Sequence, residues 1–215
     1  MGKSTHGGGH GGGHGGHLGA VYAGGAPEEV AAGYDAWAAT YEADMARAGY
    51  RHPAVCLALL ARHLPRGAAP LLDAGCGTGL IGEWLGILGY PEADGLDLSE
   101  GMLAVAAEKG VYRALHRLAL GGPLPFAGGA YAGIVSSGVF TTGHVGAEAL
   151  GELARVCAAG GVLVVTVKMP LWEEGFARRA ADAGFVLAEA TAPYRSMPRD
   201  PATIPSLAAV FRRPG

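Results

Sequence analysis

Asp73-Ala74-Gly75-Cys76-Gly77-Thr78-Gly79 is the segment best suited to chemistry, because an acid and three closely spaced glycines follow the apolar pair Leu71-Leu72. Glycines at the end of a strand allow a tight turn and let the backbone approach a ligand at the carboxyl edge of an open α/β sheet. Eighteen residues after Gly79, Asp97 closes Gly95-Leu96-Asp97-Leu98. An acid in that place can accept hydrogen bonds from both hydroxyls of a ribose. Two ligands fit these facts. Gly77-Thr78-Gly79-Leu80-Ile81-Gly82 satisfies the G-x-G-x-x-G pattern of a dinucleotide site. A carboxylate at position 73 would repel a pyrophosphate, however, and would attract, directly or through water, the ammonium of a nucleoside that carries an amino acid.

The surrounding segments alternate as such a site requires. Strands are predicted over 71–74, 93–98, within 112–120, and over 132–137 and 162–167, with helices over 79–88, 100–109, 147–158 and 171–183. This alternation predicts right-handed crossovers and a mostly parallel sheet with helices on both faces. Two strand-like runs close the chain, 185–191 and 207–212, with no room for a helix between them, so they are expected to form an antiparallel hairpin at one side. Upstream, Pro27-Glu28-Glu29 opens a helix predicted to reach about Ala48, with Tyr34, Trp37 and Tyr41 on one face. A second helix is expected over 53–64, with Val55, Leu59 and Leu60 facing inward. The reading is one domain over 27–215, with a helical lid at 27–66 and an α/β core at 67–215.

Composition narrows the function. Half of the 215 residues are hydrophobic, enough for an ordinary core. The net charge of -3 offers no field for nucleic acid phosphates, so no nucleic acid partner is expected. Cys56, Cys76 and Cys157 form no CxxC pair and read as reduced, buried thiols. No apolar run approaches membrane-spanning length and the N-terminus lacks a signal-peptide core, so a soluble cytoplasmic protein without membrane contact is expected. Residues 1–26 are rich in glycine with His6, His10, His14 and His17 among it, and read as a disordered tail. Weak metal binding by that tail is the alternative; elsewhere no histidine pair has metal-ligand spacing, so no metal is expected.

At these motifs the sequence resembles the class I S-adenosylmethionine-dependent methyltransferases, whose signature loop reads like LLDAGCGTG. More narrowly it is similar to the methyltransferase-like proteins named after the Williams-Beuren syndrome chromosomal region and their bacterial relatives. The similarity rests on YDAWAATYEADM at 34–45, LLDAGCGTGL at 71–80, GLDLSEGML at 95–103, KGVYRAL at 109–115, LALGGPLPF at 118–126, GVFTTGHV at 138–145 and ELARVCAAGGVLVVT at 152–166. It implies a Rossmann-like seven-stranded sheet and S-adenosylmethionine as cofactor. Gly75, Cys76 and Gly77 would touch the cofactor through backbone atoms, Asp97 would hold the ribose, and Leu98 and Met102 would sandwich the adenine. Ala119 and Leu120 stand where such enzymes often carry an acid for the adenine amino group, so adenine recognition there would fall to backbone atoms. Trp37 and Tyr41 would roof the cofactor, and Ser137 would border it.

Methyl transfer from a sulfonium needs alignment and exclusion of water more than a fixed catalytic set. The loop Ser136 to His144 should face the methyl group; it has no Asp/Asn-Pro-Pro-aromatic motif and no Pro-Cys pair, which lowers the weight of nucleobase and glutamine acceptors. His144 is the candidate base, since its side chain titrates near neutrality; the alternative is an exposed loop histidine. The leading expectation is a methyltransferase with a small-molecule acceptor. A non-catalytic cofactor-binding module and a nicotinamide-dependent oxidoreductase using Gly77, Gly79 and Gly82 remain as alternatives. No heptad or long apolar stripe announces an oligomer.

Overall fold

The computed structural model describes residues 26–141 and 145–215. Seven strands form one sheet: β1 (Leu71–Ala74), β2 (Ala93–Asp97), β3 (Ala114–Arg117), β4 (Tyr131–Phe140), β5 (Cys157–Lys168), β6 (Val186–Ala190) and β7 (Ser206–Arg212). Their order is β3-β2-β1-β4-β5-β7-β6. The first five run parallel, while β7 lies antiparallel between β5 and β6, as the terminal hairpin predicted. Asp73 stands level with Gly95 on β2 and Val135 on β4, so the carboxyl ends of the central strands share one rim.

The side-chain alternation of the strands divides the core. On β5, Val162 and Val164 pack with Leu57, Leu60 and Leu85 of α3 (His52–His63) and α4 (Gly82–Leu88). Leu163, Val165 and Val167 turn the other way, toward Leu150, Leu153 and Val156 of α6 (Leu150–Val156) and Phe176 of α8 (Phe176–Asp182). Every one of these residues is buried, and a strand covered on both faces reads as a near-continuous apolar run. Between α4 and α6, α5 (Glu100–Lys109) joins β2 to β3; α7 (Met169–Glu173) follows β5.

Several boundaries differ from the sequence prediction. The long N-terminal helix divides into α1 (Pro27–Trp37) and α2 (Tyr41–Ala48). Trp37 is 3% exposed, and its indole nitrogen donates to Asp44 Oδ2 at 2.7 Å, a contact that a straight helix would not allow at a spacing of seven. Helix 147–158 begins as a 3-10 turn and gives way to strand at Cys157, and helix 171–183 breaks at Gly175, which has φ +99°. In α3 the buried positions include Cys56 and Leu57 beside the expected Leu59 and Leu60, while Val55 is half-buried. The tail at 1–25 lies outside the described residues.

Candidate functional site

The glycine loop leaves β1 at the shared rim. Gly75 has φ +83°, and a Cβ there would overlap Val139, so both backbone and neighbour require glycine. The amides of Gly75 and Cys76 donate to the carbonyl of Leu96 at 2.8 and 2.9 Å. Gly77 then donates to Asp97 Oδ2 at 2.9 Å, while the Ser99 amide donates to Asp97 Oδ1 at 2.9 Å. Burial pushes the Asp97 carboxyl up, against the pull of these amide donors. The Leu98 amide also pulls on this carboxylate, which has about four acceptor sites in all, so capacity remains for a ribose hydroxyl.

The roof is attached at the same corner. Ser99 caps α5 by accepting from the Met102 amide at 3.1 Å, and its hydroxyl donates to Asp35 Oδ1 at 2.5 Å. Asp35 Oδ1 also accepts from the Gly101 amide at 2.8 Å. The Ser99 hydroxyl, then the Gly101 amide, hold the Asp35 carboxyl below its ordinary range. On the next helix, Glu42 pairs with Lys109 at 2.6 Å, and Lys109 reaches Glu83 of α4 at 2.9 Å. Two links therefore fasten α1 and α2 to the sheet layer.

Beneath the roof lies a cavity of about 210 Å³, more than ten times the space one water needs. Tyr34, Trp37 and Tyr41 form its ceiling, with Trp37 and Tyr41 edge to face at 4.9 Å. Leu98, Met102, Ala119 and Leu120 line the end beyond β2 and β3; Gly75, Gly77 and Asp97 line the middle. Ser137, Gly138, Val139 and Val145 line the β4 end together with Met45 and Tyr50. The Ser137 hydroxyl has no hydrogen-bond partner within ordinary distance there. The cavity thus gathers ten of the residues singled out from sequence.

Asp73 and Cys76 are not on that wall. Asp73 is 1% exposed, and Tyr112 donates its hydroxyl to Oδ2 at 2.6 Å. Burial pushes the Asp73 carboxyl up to about 7; Tyr112 opposes that shift and the negative charge of Asp97 adds to it. The fixed anion expected at the end of β1 is therefore a carboxyl that titrates near neutrality behind the loop. Cys76 is buried against Gly95, and its thiol, pushed up by burial, faces inward. His144 lies outside the described residues. Sequence reasoning missed Asp35, Tyr50 and Tyr112, whose partners are distant in the chain. Gly82 carried a signal for the last of these: a Cβ there would stand 2.5 Å from the Tyr112 ring, so the third glycine of G-x-G-x-x-G makes room for a tyrosine.

The family model described as a methyltransferase domain matches residues 72–165. That stretch runs from the glycine loop through the β4 end of the cavity. Residues 72–165 are thus similar to the methyltransferase domain that this family shares. Human methyltransferase-like protein 27 is 36% identical over 138 residues, which is 63% of this chain and 56% of that protein, so the match spans little more than half the length of the relative. Among solved structures, a putative methyltransferase of Haloferax volcanii, in complex with its Trm112 activator, superposes with a TM-score of 0.64 at 20% identity. It covers 85% of this chain and 98% of its own. A TehB-like S-adenosylmethionine-dependent methyltransferase of Corynebacterium glutamicum gives 0.62 at 24% identity with the same coverage. These neighbours share the fold of the domain. Among the described residues no helix is long and apolar enough to cross a membrane.

Proposed function

We propose that this protein transfers the methyl group of S-adenosylmethionine to a small-molecule acceptor. The observation that carries this reading is the placement of Asp97: the amides of Gly77 and Ser99 hold its carboxylate at the middle of a roofed cavity. Bound cofactor supplies an electrophilic methyl on a sulfonium. Asp97 would accept from the two ribose hydroxyls, and Leu98 and Met102 would flank the adenine. Ala119 and Leu120 offer no side-chain donor or acceptor for its edge. Gly75, Cys76 and Gly77 contribute backbone, and Ser137 has a hydroxyl to give to the amino-acid portion. Asp73 would act on the ammonium through the loop or an intervening water. Trp37 and Tyr41 would exclude water from above, which strengthens every polar contact inside.

The sheet order sets the direction of the ligand. With adenine over the β2–β3 side, the methyl points toward the β4 end. His144 follows that strand, and we retain it as the candidate base. The net charge of -3 disfavours a nucleic acid acceptor, and three buried free cysteines suit a reducing, cytoplasmic setting. The nicotinamide reading is weakened by the packing of Tyr112 against Gly82: the glycine that lets helix and strand close together in a dinucleotide site makes room here for a tyrosine. Titration calorimetry with adenosylhomocysteine tests the proposal: micromolar binding supports it, while stabilisation by NAD and not by adenosylhomocysteine would overturn it.

A further inference from the structure

The β4 end of the cavity has a wall whose construction speaks to the acceptor. Tyr50 lines it, with its hydroxyl set against Gly138 so closely that a Cβ on that glycine would overlap the oxygen. Gly138 also has φ +77°, and its amide donates to Thr166 Oγ1 at 2.7 Å, so the strand end is held in the shape that admits the tyrosine. Behind Tyr50 stands His52, edge to face at 5.4 Å. His52 is 3% exposed and shares a 2.8 Å hydrogen bond between Nδ1 and the Tyr194 hydroxyl. Burial, then the charge of Lys168, push the His52 imidazole down to about 3, so the ring behind Tyr50 is neutral.

The remaining neighbours at this end are Met45, Val139 and Val145, with the uncharged hydroxyl of Ser137. Among the described lining residues of the whole cavity, Asp97 is the one carboxyl, the tyrosines are neutral phenols at pH 7 and no His, Lys or Arg is present; Asp97 would sit at the ribose, away from this wall. Lys168, the cation nearest in this argument, is 7% exposed, donates to the Ile204 carbonyl at 3.1 Å and is not on the wall. A charged molecule brought against such a surface would lose its hydration without gaining a counter-ion there.

Resting on the methyltransferase reading above, we propose that the acceptor is an uncharged, flat, largely apolar molecule that packs on the Tyr50 ring and attacks through a nitrogen or sulfur lone pair. Tyr50 is then the residue that sets acceptor specificity. The acceptor's lone pair forms the bond to the methyl carbon while the cofactor sulfur keeps the electron pair of the bond that breaks. Attack by a neutral lone pair spreads the sulfonium charge, and an apolar wall favours that change. With such an acceptor the step releases no proton, so His144 is not called on as a base, and the methylated product carries the positive charge out of the cavity.

Binding of three rings of matched size to protein saturated with adenosylhomocysteine tests this: quinoline, 2-naphthoate and 2-naphthylmethylammonium at pH 7.5, by calorimetry. Quinoline is expected to bind at least about tenfold tighter than either charged ring. Tyr50→Ala should weaken quinoline at least about fivefold and Tyr50→Phe should retain it, both with unchanged affinity for adenosylhomocysteine. Naphthoate binding as tightly as quinoline would overturn the proposal by showing that the Lys168 charge reaches the wall. Equal or tighter binding of the ammonium, or no ring binding at all, would overturn it too. Should Tyr50→Ala fail to fold, the order of the three affinities in the unaltered protein decides. Failure of adenosylhomocysteine itself to bind is a separate result, and it removes the cofactor reading together with this one.

Discussion

Tyr112 donates its hydroxyl to Asp73 Oδ2 at 2.6 Å, across 39 residues of chain, and so closes off the carboxyl that ends β1 from the cavity beyond the loop. The ring occupies the space that Gly82 leaves open. The pair makes the most characteristic acid of the glycine loop responsive to pH.

The sign of that response is fixed by burial. Asp73 in the folded protein titrates at about 7 against an ordinary 3.8, so the folded state takes up a proton between those values. Its contribution to stability is full below the lower value and is lost as pH rises through the upper one. Binding of an ammonium-bearing ligand runs the opposite way, because the ligand needs the ionised form. Affinity for adenosylhomocysteine should therefore rise severalfold from pH 6 to pH 7.5 and then level off, and Asp73→Asn should flatten the profile. A calorimetric pH series measures this; a flat profile in the unaltered protein would contradict it.

Tyr112→Phe removes the group that opposes the upward shift of Asp73. The midpoint of the same profile should move to higher pH, and the fold should lose about 1 to 2 kcal/mol, the usual cost of a buried hydrogen bond to an acid. Urea unfolding at pH 8 gives the second quantity.

Asp97→Ala should weaken adenosylhomocysteine by about 1 to 3 kcal/mol, the range for losing hydrogen bonds to a charged group. Because Gly77 and Ser99 both donate to this carboxylate, the unliganded loop should loosen as well, with faster amide exchange at those two positions. Unchanged affinity would remove the ribose assignment.

Gly138→Ala introduces two separate faults: a left-handed backbone position, costing about 1 to 2 kcal/mol, and an overlap with the Tyr50 hydroxyl. The second is removable. The next atom a Cβ would meet, Tyr50 Cζ, is 3.6 Å away, an ordinary contact. Tyr50→Phe should then recover part of the lost stability in the double variant, seen as a non-additive double-mutant cycle. Strict additivity would show that the two residues are not in contact.

Legibility followed chain distance. The glycine loop and Asp97 could be read because each is decided by neighbours within a few residues: a strand, a turn, an amide. The parallel sheet followed from alternation, and the terminal hairpin from the missing helix, whereas the strand order did not. The division of the N-terminal helix could not be read, since no proline or glycine marks residues 38–40; it arises where Trp37 turns its indole toward Asp44. The withdrawal of Asp73 behind Tyr112 was equally invisible, because a carboxyl at a strand end looks the same whether or not a tyrosine reaches it. What the sequence did carry were glycines without a local reason. Gly82 at the start of a helix and Gly138 inside a strand both mark close approach by a remote side chain, and each pointed to a tyrosine that the motif reading passed over.

The roof has a consequence for the order in which the molecule is assembled. Asp35 reaches its partners Ser99 and Gly101 across 64 and 66 residues, Glu42 meets Lys109 across 67, and Arg199 donates to the Arg47 carbonyl across 152. Of the described helices, the first two to be synthesised are thus the last to find their seat, and they wait on a segment about 150 residues downstream. In the finished protein the same attachments should release first, which lets ligands enter and leave without disturbing the sheet.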